Sequence, residues 1–66
     1  MVAHEDFQAI ADAIGDLAER VADLTLDALR SQAQGESDAK ATERALASAR
    51  RSLVKAEQTL RGLARD

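Results

Sequence analysis

The stretch FQAIADAIGDLAERVADLTLDA, residues 7–28, decides how this chain is read. Its apolar residues recur as Phe7, Ile10, Ile14, Leu17, Val21, Leu24 and Ala28, at intervals that alternate three and four. That spacing places every member on one stripe of an α-helix, the a and d positions of a heptad, sustained for three heptads. A half-buried strand would instead alternate every two residues. The pattern predicts a first helix from about residue 4 to about 34. Glu5 and Asp6 stand at its start and Arg30 near its end, as the helix dipole prefers. Gly15 falls inside it, on the side expected to be outer, at a cost of about 1 kcal/mol relative to Ala.

Downstream the periodicity stops at SQAQGESD, residues 31–38. Gly35 suits the left-handed residue that ends a helix, and Ser37 or Asp38 suits the cap of the next one, with acidic charge at its first turn. The loop is expected at about 35–37. A second helix is expected from about 38 to 65, with its own seam at Ala39, Thr42, Leu46, Ala49, Leu53, Ala56, Leu60 and Leu63. Arg61 and Arg65 are placed to complement its C-terminal end. So short a connection makes the helices antiparallel neighbours. The whole chain reads as one all-α domain, an antiparallel helical hairpin.

The two seams match when residue numbers sum to 70, which pairs Phe7 with Leu63, Ile10 with Leu60, Ile14 with Ala56 and Leu17 with Leu53. Val21 then meets Ala49, and Leu24 meets Leu46. Large residues thus meet small ones or fill complete layers, as close packing requires. These twelve residues are the expected hairpin core.

Sixty-six residues lie near the lower limit for independent folding, and chains of this size usually add disulfides, a metal or a partner chain. There is no Cys, and His4 is the single His, so disulfides are excluded and a structural zinc site is not expected. Association remains, and dimerisation of two hairpins into a four-helix bundle is expected. Further residues are candidates for that interface or for a second protein. Ala22, Leu26, Leu29 and Ala33 widen the apolar surface of the first helix. Val54 does so on the second, beside a strip of small residues, Ala45, Ser52 and Thr59. Two such hairpins resemble the plasmid Rop dimers in topology, though in no sequence motif, and no residue role follows from that.

The charges divide between the halves. Residues 1–34 carry net −5 and residues 35–66 net +2, which together give the chain's −3. Asp12, Asp16, Glu19 and Asp23 form an acidic stripe, read as a solvated face or a docking surface for a basic partner. Lys40, Arg44, Arg51, Lys55 and Arg65 form a basic one, the alternative surface for a nucleic-acid regulator. Against that stand the acidic total and the single aromatic, Phe7, which lies on the seam.

No catalytic constellation is expected. The serines lack a base held by a third group, the carboxylates have no pocket to shift them, and no Glu-x-x-His or glycine-rich phosphate loop occurs. No cofactor or metal is assigned. The acidic N-terminus does not read as a signal peptide, and no run spans a bilayer. The expectation is therefore a non-enzymatic protein-interaction module, a regulator, scaffold or accessory subunit. It is placed in the cytoplasm of a bacterium, whose GC-rich coding would favour Ala and Arg.

Overall fold

In the computed structural model the described residues form two α-helices, α1 (His4–Ala33) and α2 (Ala39–Ala64). The structure describes residues 2–33 and 39–65, without the side chains of 31–33 and 39. The expected Gly35 terminus and the Ser37 or Asp38 cap lie outside the described residues, as do the side chains of Ala33 and Ala39. The two helices pack against each other as an antiparallel hairpin, 51 Å long and about 15 Å across between Cα atoms.

Local chemistry explains the start of α1. Ala3 occupies the capping position but has no side-chain oxygen to offer. Asp6 compensates: its backbone N–H donates to the Ala3 carbonyl at 2.9 Å, and its carboxylate accepts from the Ala3 N–H at 3.2 Å. The second of these bonds is the reciprocal half of a capping box. The acid expected at the start of α2, Asp38, lies outside the described residues, and the described first turn carries Lys40.

The line along which the helices touch differs from the expected seam. Among the described residues the buried apolar ones are Ala11, Ala18 and Ala28, and no side chain larger than alanine is fully buried. Half-buried residues flank that line on both sides: Phe7, Ile14 and Val21 on one, Gly15 and Ala22 on the other. On α2 the half-buried set is Glu43, Leu46, Ala47, Leu53, Val54, Glu57, Leu60, Arg61 and Ala64. Ile10, Leu17, Leu24 and Leu63, expected in the hairpin core, are instead 53, 45, 52 and 45% exposed. Ala49 and Ala56 are exposed as well.

The reason is the width of a helix contact. Successive residues are about 100° apart around the axis. Ile10, Leu17 and Leu24 each precede a contact-line residue (Ala11, Ala18, Thr25) by one position. They therefore stand about 100° to one side of the neighbouring helix.

Register differs too. Gly15 lies over Glu57, and Asp12 reaches Arg61, so cross-helix numbers sum to 72 and 73 rather than 70. Relative to the expected layers the helices are slid by two to three residues, about 3–4.5 Å at 1.5 Å per residue.

Small residues on the contact line let the two backbones approach, so enlarging one should force them apart. Ala11→Leu is expected to cost about 1–3 kcal/mol, read as a lowered urea midpoint at fixed protein concentration. An unchanged midpoint would show that α2 does not cover Ala11.

Candidate functional site

The hairpin has two unlike faces, separated by the contact line. On one side stand the residues that follow the contact line by a position on α1, Asp12 and Glu19, together with Asp16. With Val54, Glu57, Arg50 and Arg61 of α2 they border an open groove of about 390 Å³. Arg61 organises it. Its Nε and Nη2 donate to Glu57 Oε2 at 3.0 and 2.7 Å, and its Nη1 donates to Asp12 Oδ1 at 3.0 Å across the groove. The hydrogen bonds to Glu57 and then to Asp12 raise the guanidinium's pKa still further above its ordinary value. Arg61 therefore links the helices instead of only closing the end of α2.

Gly15 belongs to the same groove, so its expected outer position is corrected. A Cβ placed there would lie 3.0 Å from Glu57 Oε2. The glycine leaves room for the carboxylate that Arg61 holds. Farther toward the loop, Ala22, Thr25, Ala47, Arg50 and Arg51 line a second groove on this side.

On the opposite side lies a face without charge. From α1 it presents Ile10, Leu17 and Leu24, with Phe7, Ile14, Val21 and Ala28 tilted in toward α2. From α2 it presents Thr42, Ala49, Ala56 and Leu63, with Leu46, Leu53 and Leu60 tilted toward α1. Both sets follow from the heptad spacing and the observed burial. All twelve residues read as hairpin core lie on this face. Contiguous exposed apolar surface of this kind marks interaction sites.

Other expected surface residues are dispersed. Ala45, Ser52 and Thr59 are exposed and rim the apolar face on its α2 edge, and the Thr59 hydroxyl is turned back to the Lys55 carbonyl at 3.0 Å. Ala22 and Val54 are half-buried and line the two polar-side grooves, so they leave the expected interface. Leu26 and Leu29 are exposed but follow the contact line, which puts them on the acidic side, away from Leu17. Lys40, Arg44, Arg51, Lys55 and Arg65 are all exposed on the polar side or its outer edge. There the acidic stripe of α1 runs beside them.

Sequence reasoning missed Arg61, Glu57, Arg50 and Gly15 as a group. The acid-then-base spacing of Glu57 and Arg61, four apart, was a readable signal. The reach to Asp12 was not, because it depends on the slide between helices.

Among the described residues no group of three or more His, Cys, Asp or Glu is placed to hold a metal ion, and no helix is long and apolar enough to cross a membrane. Comparison with protein-family models, curated proteins and solved structures finds no match.

The closeness of Gly15 to Glu57 yields a coupled prediction. Gly15→Ala alone should change stability little, because a helix-propensity gain of about 1 kcal/mol is opposed by displacement of the held carboxylate. With Glu57→Ala also present, the full gain should appear. Thermal melts of the four proteins give the coupling directly; strictly additive effects would mean that the two residues do not meet.

Proposed function

We propose that this chain is a non-enzymatic interaction module whose working form is a homodimer, two hairpins closed on their apolar faces into a four-helix bundle. The observation that carries the reading is the uncharged face built on Ile10, Leu17, Leu24 and Leu63, each 45% exposed or more in the single chain. A hairpin whose buried apolar residues, among those described, are three alanines has little core with which to hold 66 residues in order by itself. The same face supplies what is lacking. Its large residues repeat every seven positions on α1, and small ones repeat every seven on α2, the arrangement by which bundle helices interdigitate.

A second copy is favoured over a charged partner because none of the fourteen positions on the face is ionisable. The polar side does not favour nucleic acid. Asp12, Asp16 and Glu19 border the same groove as Arg50 and Arg61, and phosphates would meet carboxylates there. Serving as regulator, scaffold or accessory subunit, the dimer would offer its polar sides to the outside.

Sedimentation equilibrium at micromolar concentration should give twice the 7.1 kDa of the chain. A folded monomer at that concentration rejects the proposal. Substitution adds a sharper check. Leu17→Ala should cost about 2–5 kcal/mol if a second copy buries the side chain. Leu26→Ala, exposed on the other side, should stay within about 0.5 kcal/mol. Equal small effects would mean that nothing covers Leu17.

A further inference from the structure

We infer that the two hairpins pair about a two-fold axis parallel to the helices, with both loops at the same end and α1 of each copy against α2 of the other. This rests on the dimer proposed above and goes on to specify its geometry. A parallel axis leaves every residue at its own height. The partner's α2 therefore meets α1 in the register that α2 of the same chain already has, with numbers summing to 72 or 73. The outward residues of the apolar face satisfy that register without adjustment. Ile10 comes level with Leu63 of the partner copy, Leu17 with its Ala56, and Leu24 with its Ala49, each pair summing to 73. In two of the three layers a leucine lies against an alanine, so large fills the space left by small.

The rim agrees. The α1 positions just beyond that stripe are Ala13, Arg20 and Asp27; those of α2 are Ala45, Ser52 and Thr59. Across a parallel axis Arg20 and Asp27 meet small uncharged neighbours, over which their stems can lie.

The alternative, an axis perpendicular to the helices, sets α1 against α1 and α2 against α2. Leucines then face leucines along one edge of the bundle and alanines face alanines along the other. Helix separations range over about 8–10 Å with the size of the contact residues, so one edge would stand wide where the other closes. The parallel axis makes the two edges identical by symmetry.

Spin labels distinguish the arrangements, and the absence of Cys makes single-site labelling clean. Gln8→Cys and Lys40→Cys are exposed positions near opposite ends of the hairpin. With a parallel axis, pulsed electron–electron resonance should give intermolecular distances of roughly 20–25 Å at both sites, the width of a bundle. With a perpendicular axis at least one site should exceed roughly 35 Å, because the ends separate by 1.5 Å per residue along the helix. A dimer by mass with a long distance at either site overturns the parallel axis and leaves the dimer standing. A monomer by mass, or a higher oligomer, overturns both.

Discussion

A helix that touches one neighbour hides only the strip along the line between the two axes. In this chain that strip is occupied by small residues, Ala11 and Ala18 on α1. The large apolar side chains stand beside it. Phe7, Ile14 and Val21 lie about 50° from the line toward α2 and Ile10, Leu17 and Leu24 about 100° from it, on the same side. A stripe set off in this way leaves its outer members uncovered by the neighbouring helix, the surface on which the proposed dimer is built. Two features follow from that offset: the poor core of the single hairpin and the uncharged face beside it.

Seen in that light, the parts of the fold that were legible in the sequence are those that periodicity governs. Both helices, the break between them, and the membership of Leu17, Leu53 and the other core candidates in one apolar surface were readable from spacings of three and four. Periodicity does not say how far each helix is turned about its axis. A heptad stripe looks the same whether it meets one helix or two, so Ile10, Leu17, Leu24 and Leu63 were expected between α1 and α2 and stand outside. Slide along the axes was equally hidden. Matching large to small across the hairpin gave a sum of 70. In the structure the small contact-line residues belong to α1 and are flanked by Leu46, Leu53, Val54 and Leu60 of α2, and cross-helix polar contacts of Gly15, Asp12, Glu57 and Arg61 fall at sums of 72 to 73.

The polar face therefore has a structural role distinct from its solubility. An exposed ion pair contributes little stability, but the Arg61 contacts are directional: one guanidinium addresses Glu57 on its own helix and Asp12 on the other. The half-buried Leu46, Leu53, Val54 and Leu60 of α2 pack beside the alanines of α1, and these hydrogen bonds bear on the slide together with that packing. Gly15 gives that arrangement room, since a Cβ there would lie 3.0 Å from the tip of Glu57 and the carboxylate would have to shift by a few tenths of an ångström. What composition alone presents as a glycine misplaced in a helix, at a propensity cost, is a site where absence of a side chain preserves the link between helices.

Register within the chain and assembly between chains are then a single problem. In the proposed dimer the two apolar faces match only while Leu17 stays level with Ala56 and Leu24 with Ala49. On the far side of the hairpin Arg61 meets Asp12 in the same register, their numbers summing to 73. A slide of three residues would leave each hairpin's composition and helix content untouched yet would bring Leu17 level with Leu53 and Leu24 level with Leu46. Replacing the contact-line alanines with larger residues would act differently, widening the hairpin so that its two stripes no longer converge on one partner. The small residues of the contact line and the polar contacts behind it thus govern a surface to which they do not belong, and the apolar stripe depends on both to present one face instead of two.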